Sequence, residues 1–264
     1  MGGTPCIVFS KTLFEISRYS HIALTLRRKT LNEIDVIHWP SFAKASEGIL
    51  LRAMNMPDPA KRVTRSRMIK GSEIRKPDYP IEAILLDRWS PRAMSGEEIS
   101  EEELMRLFEA ARWAPSSFNA QQWRALYARR GTEHWQTFFD LLVDANKAWA
   151  KNAAVLVVFI SRKFFEHHNE PSATHSYDAG AAWENFALQG FHQGLVVHGM
   201  EGFDYERARK ELRIPDEFQV EAMAAVGKPG SKELLPEKLQ ARESPNDRRK
   251  LSESVFEGPF HAGK

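Results

Sequence analysis

The run AAVLVVFI at residues 153–160 constrains this chain most. It is uninterrupted by any polar residue and rich in β-branched side chains, which suits a strand buried on both faces. A half-exposed strand would alternate apolar with polar positions. The run is also the longest apolar stretch in the chain and falls far short of the roughly 20 residues needed to span a bilayer. A soluble, cytoplasmic protein with no membrane partner is the expectation.

The neighbouring segments predict helices that can cover such a strand. SEEELMRLFEAARWA (100–114) opens with Ser100 and Glu103 at capping-box spacing, and Leu104, Leu107, Phe108 and Ala111 then share one face of a 3.6-residue period. HWQTFFDLLVDAN (134–146) repeats the pattern with Trp135, Phe138, Phe139 and Leu142 and predicts one helix. DAGAAWENFALQGFHQ (178–193) predicts a long helix whose alanines allow close packing. LVVHG predicts a short strand, DYERARKEL (204–212) a helix started by Asp204, and QVEAMAAVG (219–227) a strand alternating Val220, Ala222, Ala224 and Val226. Helices and strands mix without strict βαβ alternation, so the class is α+β.

Residues 1–67 have a different texture. They lack sustained periodicity, contain the breaks HWPSF and NMPDPAKR, and carry eleven Lys/Arg against five Asp/Glu. They read as a basic flexible arm, as an upstream stretch preceding a start at Met54, Met56 or Met68, or as a targeting peptide. The last reading suffers from scattered acids and the lack of an apolar core. The formal net charge of the whole chain is +2, so the body from residue 68 to 264 carries a mild negative excess. That balance gives no electrostatic reason to expect a nucleic-acid partner, which needs a basic face to displace counterions. The single cysteine, Cys6, excludes an intramolecular disulfide framework and any multi-thiolate metal site.

Several common chemistries lack their motifs. No G-x-G-x-x-G, G-x-x-x-x-G-K-[ST], G-x-S-x-G or H-E-x-x-H occurs. His167 and His168 adjoin but have no third ligand at metal spacing, so they read as a solvated loop pair. His192 and His198 read as packing histidines. No metal site is expected.

Polar clusters remain at the ends of elements. DRWSPRAM (87–94) sets two arginines and a serine between an apolar run and an acidic helix start; such a cluster either holds an anion or decorates a turn. APSSFNAQQWR (114–124) offers short hydrogen-bonding side chains, or is simply the turn after a helix. NDRRKLSE (246–253) is a cation cluster or a solvated charge run. Trp113, Trp123 and Trp183 sit at helix or strand periodicity and read as core.

Taken in order, DRWSPRAM, APSSFNAQQW, DAGAAWENFALQG, MEGFD and RRKLSE resemble the nitroreductase family of FMN-dependent oxidoreductases, over about residues 80–260. One departure is Gln122, where the family usually carries proline. The resemblance implies a three-layer α/β/α sandwich around a mixed, largely antiparallel sheet, an intertwined homodimer, and a catalytic domain over 68–264. It implies FMN as cofactor, NAD(P)H as reductant and an electron-poor small molecule as acceptor in a ping-pong exchange. A flavin storage or sensing protein, or a reductase or dehalogenase for one metabolite, is the alternative. No catalytic side chain is then required, because the cofactor carries the chemistry.

The same resemblance implies the cofactor contacts. Arg88 and Ser90, followed by Arg248 and Lys250, would hold the phosphate and ribityl chain, since guanidinium forks match a phosphate in charge and shape. Trp89 lies between them, and Arg92 would lie nearer the pyrimidine edge. Pro115, Ser116, Ser117, Asn119 and Gln121 would meet the flavin bound mainly by the partner chain. Glu201 and Gly202 would pass the flavin N5. Asn146, with Lys147, lies near a further ligand position or forms a helix C-cap. Phe164 and Phe165, in segment 161–177, would form a lid that sets substrate choice.

Overall fold

The structure is a computed structural model that describes residues 68–260; the expectations for residues 1–67 lie outside them. The apolar run forms strand β2 (Val155–Arg162), buried at every position except Arg162. It is joined by β1 (Trp123–Arg129), β3 (Val196–Met200) and β4 (Phe218–Gly227) in the order β1-β2-β4-β3. In this register Val157 lies opposite Tyr127 on one side and Ala224 on the other.

Alternation along β2 divides the core. Leu156, Val158 and Ile160 join Phe138, Leu141, Trp149 and Ala208, whereas Val155, Val157 and Phe159 join Leu104, Leu107, Ala111 and Phe186. Successive strand side chains point to opposite faces, so apolar cover is needed on both. Helix α2 (Glu101–Arg112) and the long α5 (His175–His192) serve the second cluster. The first is served by α3 (Trp135–Asp140), α4 (Asp144–Ala150) and α6 (Tyr205–Glu211). Two short helices, α1 (Ala83–Asp87) and α7 (Glu237–Gln240), flank the body.

The expected mixed sheet is corrected: every pairing among the described residues is antiparallel. Strands β2 and β3 do run the same way, joined through α5. Strand β4 lies between them, antiparallel to both, so the parallel directions never become neighbours.

Local signals were legible where they were strong. Ser100 and Glu103 cap α2 reciprocally, with Glu103 N–H donating to Ser100 Oγ at 3.1 Å and Ser100 N–H to Glu103 Oε2 at 2.7 Å. Asp204 caps α6 by accepting from Arg207 N–H at 2.9 Å. The single helix expected over 134–146 is instead broken between α3 and α4. There Leu142 bridges Phe203, and Val143 N–H donates to Gly202 O at 3.1 Å, so a distant segment takes the backbone that would have continued the helix. Strand β1 gave no sequence signal, because WRALYAR at a sheet edge has irregular burial.

Trp123 and Trp183 pack partly buried against the second core cluster. Trp113 does not: it is 73% exposed, its indole N–H bonds Glu109, and Arg112 lies over its ring. Its position at the C-cap of α2, past the last buried residue Ala111, turns it to solvent. Among the described residues no helix is long and apolar enough to cross a membrane.

Candidate cofactor site

Helix α1 ends at Arg88, whose N–H still donates to Ile84 O at 3.0 Å. The turn behind it is tied down by a residue that sequence reasoning missed. Arg75, only 7% exposed, donates from Nη1 to the carbonyls of Leu86 and Arg88, both at 2.8 Å, and from Nε to Asn246 O at 2.8 Å. Burial and the positive charges of Arg248 and Arg88 hold its pKa below the ordinary value, with Asp247 opposing. The structure thus gathers Arg88, Ser90 and Arg248 around Arg75. Arg88 Nη1 lies 3.4 Å from Ser90 Oγ. Its Nε approaches Glu184 on α5 to 3.1 Å, but the buried N–H is misaligned and lacks a hydrogen-bond acceptor.

The other predicted residues distribute around this centre. Trp89 is buried and its indole N–H donates to Ile69 O at 2.7 Å, so it anchors the turn. Lys250 lines a groove with Asp78, Tyr79 and Val255, and no contact joins it to Arg88 among the described residues. The N–H groups of Arg92 and Ala93 both donate to Glu243 Oε1, at 2.7 and 2.8 Å, which pins this segment to the C-terminal region. Beside it, His198 Nδ1 meets Pro91 O at 2.9 Å and the ring packs on Trp149. Burial pushes the His198 pKa down to about 4, against the Pro91 bond and with help from the Arg92 charge, so at neutral pH the ring is neutral.

The loop after α2 is shaped by left-handed backbone at Phe118, Asn119 and Gln121, with φ of 52°, 55° and 50°. Such conformations are uncommon outside glycine and need external support. Two hydrogen bonds supply it: Ser117 N–H donates to the buried Asp178 of α5 at 3.0 Å, and Gln121 N–H to Ser116 Oγ at 3.0 Å. Gln122 is buried, its Oε1 accepting from Ser172 Oγ at 2.8 Å and its carbonyl from Arg162 N–H at 2.9 Å. Hydrogen bonds therefore hold the loop where the family's proline would restrict it covalently.

Segment 163–172 closes as a tight excursion, with Ser172 N–H on Lys163 O and Phe165 N–H on Glu170 O. Phe165 meets the 92% exposed Phe118 edge-on at 5.8 Å. The two loops flagged separately in sequence are thus neighbours. Pro115 precedes this turn, and His167 and His168 are exposed on the excursion.

Gly202 sits against α4. Its carbonyl accepts from Asn146 Nδ2 at 3.0 Å, and a Cβ at this position would lie 2.8 Å from that nitrogen, so any larger residue would have to displace the Asn146 amide. Asn146 is inside α4, not at a C-cap. Glu201 opens onto a cleft of about 530 Å³ lined by Trp183, Gly199, Tyr205 and Glu221. Burial, then Glu201 and Glu221, raise the Tyr205 pKa. At one wall of the cleft Ser161, His175, Ser176 and Glu221 share hydrogen bonds, a polar group with no sequence signal because its members come from β2, α5 and β4.

The sequence profile of the nitroreductase family matches residues 85–145 and 128–228. A crystal structure described as an oxidoreductase containing FMN is 45% identical, covering 72% of this chain and 97% of that one, with a TM-score of 0.69. A Desulfovibrio desulfuricans protein solved in complex with FMN has the same fold at 23% identity and a TM-score of 0.54, covering 69% of this chain and all of that one. An uncharacterised 15.4 kDa protein of Mycolicibacterium smegmatis is 30% identical over 127 residues, 47% of this chain and 84% of its own. With more than half of its length matched by the family profile, this chain belongs to the nitroreductase family.

Proposed function

We propose that this protein is an FMN-dependent oxidoreductase. It takes reducing equivalents from NADH or NADPH and passes two electrons to an electron-poor small molecule such as a nitroaromatic or a quinone. The observation that carries the reading is the gathering of Arg75, Arg88 and Arg248, three like charges held together with a buried, unpaired Arg88 N–H. Glu184 beside Arg88 and Asp247 beside Arg75 offset part of this charge, and a dianionic phosphate monoester fits the remainder in charge and in hydrogen-bonding shape. The FMN in the 45% identical relative supports the same identity.

FMN, when bound, supplies the hydride-accepting and hydride-donating ring. This chain supplies binding and field. Arg88, Ser90 and Arg248 hold the phosphate, and Lys250 adds charge along the same C-terminal segment. Arg92 would bring a cation toward the pyrimidine side of bound FMN, where a positive charge favours the reduced, more negative form. His198 beside it stays neutral and adds no competing charge. The backbone at Glu201 and Gly202 would lie beside the reactive edge of bound FMN. Ser116, Ser117 and Asn119 reach the flavin of a second copy in a homodimer, a reading supported by exposed Phe118, Tyr177 and Trp113. Helices on both faces of the sheet fit the three-layer arrangement, and the lone Cys6 fits a cytoplasmic setting.

The purified protein is expected to be yellow, with about one FMN per chain as in other one-site flavoproteins, and to bleach within seconds of adding NADH or NADPH under anaerobic conditions. A colourless protein that takes up no FMN would falsify the reading. A yellow protein that neither nucleotide reduces would instead be a flavin-binding protein without turnover.

A further inference from the structure

We infer that Arg75 is a positioning residue for the phosphate site: its guanidinium clamps the C-terminal segment that carries Arg248 against the turn that carries Arg88. The inference rests on the flavin reading above and assigns a role to a residue outside the motifs that suggested it.

Three features support it. Arg75 places three donors on three carbonyls, two of them (Leu86 and Arg88) in the turn and one (Asn246) 171 positions away in sequence. A planar fork with fixed N–H directions can serve all three at once, and a lysine ammonium cannot reproduce that geometry. The surroundings are also built to fit the guanidinium. Gly71 packs so closely that a Cβ there would lie 2.0 Å from Leu86 O and 2.9 Å from Arg75 Nη1. Ser72 N–H, in the same turn, donates to Asp87 Oδ1 at 3.1 Å.

Electrostatics then argues against a purely structural strut. Burial first, and then the guanidinium groups of Arg248 and Arg88, depress the Arg75 pKa against the opposing charge of Asp247, and Glu184 pairs with Arg88 alone, so the three arginines outnumber the carboxylates beside them. A clamp meant only for stability would be better served by a neutral donor, because each added cation raises the repulsion among the three. A dianionic phosphate reverses that balance. Arg75 therefore joins the two halves of the site and adds to its positive field, and the C-terminal segment docks more firmly when the anion is present.

FMN and riboflavin differ by this phosphate alone, so their affinities for the apoprotein test the assignment. Wild-type protein is expected to prefer FMN by about 100-fold or more, as charge-assisted hydrogen bonds to a phosphate would give. Arg75→Gln is expected to cut that preference by at least about tenfold with riboflavin affinity nearly unchanged. Arg75→Lys keeps the charge but not the fork, and should fail to restore the preference.

An intact preference in Arg75→Gln, full rescue by Arg75→Lys, or parallel loss of both affinities would overturn the positioning role while leaving the flavin reading in place. Wild-type protein that binds neither flavin would remove both. Should the variants not fold, hydrogen exchange of wild-type residues 244–250 decides: FMN is expected to slow it and riboflavin not, and equal protection by the two would overturn the inference.

Discussion

His198 shows how one side chain reports on its neighbourhood. Its Nδ1 faces Pro91 O, its ring lies on Trp149, and Arg92 stands nearby. With a folded pKa near 4 against an ordinary value of 6.5, the unfolded chain binds the extra proton more readily between those limits. Stability from this group is therefore complete above pH 6.5 and is lost as pH falls toward 4. The amount is about 3 kcal/mol, to be read as the part of the acid sensitivity in urea unfolding that disappears in His198→Asn. An imidazole resonance for His198 that titrates above pH 6 would contradict it. The sequence reading of His198 as a packing histidine holds, but its depressed pKa needed the fold to bury the ring and to bring Arg92 beside it.

At the scale of elements, α5 is the member that organises the site. Asp178 holds the loop at Ser117, and Glu184, six residues on, meets Arg88, about 9 Å further along the axis at 1.5 Å per residue. Near its C-terminal end, Gly190 lets the helix approach β3: a Cβ there would lie 2.4 Å from Val197 Cγ2 and 3.4 Å from Leu107 Cδ2. Gly→Ala inside a helix ordinarily stabilises by roughly 0.5–1 kcal/mol. Gly190→Ala is expected instead to destabilise by about 1–3 kcal/mol through overpacking. Gly180→Ala, with nothing within 4 Å in the same helix, should follow the ordinary rule in chemical denaturation. A stabilised Gly190→Ala would show that α5 and β3 are not packed as described. The alanine-rich texture of 178–193 signalled close packing, yet which glycine faces a strand depends on the strand's position.

For the whole molecule, the exposed aromatics call for cover. Tyr177, 80% exposed, is adjacent to the buried Asp178 that anchors the loop bearing the 92% exposed Phe118. Aromatic side chains so presented are typical anchors of protein interfaces. Light scattering is expected to give twice the monomer mass. Tyr177→Glu should weaken self-association by tenfold or more, which is about 1.4 kcal/mol or above, and should lower flavin retention with it. A monomeric wild-type protein that keeps its flavin would exclude the shared site.

The sequence by itself determined what short windows of chain can encode. The double burial of β2 followed from an unbroken apolar run, and the starts of α2 and α6 followed from Ser100, Glu103 and Asp204, whose capping bonds span three residues. The candidate site was legible only as separated clusters whose order resembled a family. Tertiary structure decided the rest, because those features depend on partners far along the chain. Backbone from 202–203 interrupts the helical pattern at Leu142 and Val143. Strand β4 inserts between β2 and β3 and removes the parallel pairing. Arg75, which carries no motif, reaches Asn246 and brings Arg88 and Arg248 into one electrostatic neighbourhood. Local hydrogen bonds and periodic burial are properties of a segment, whereas the closeness of like charges is stabilised only by a whole fold that can hold them together.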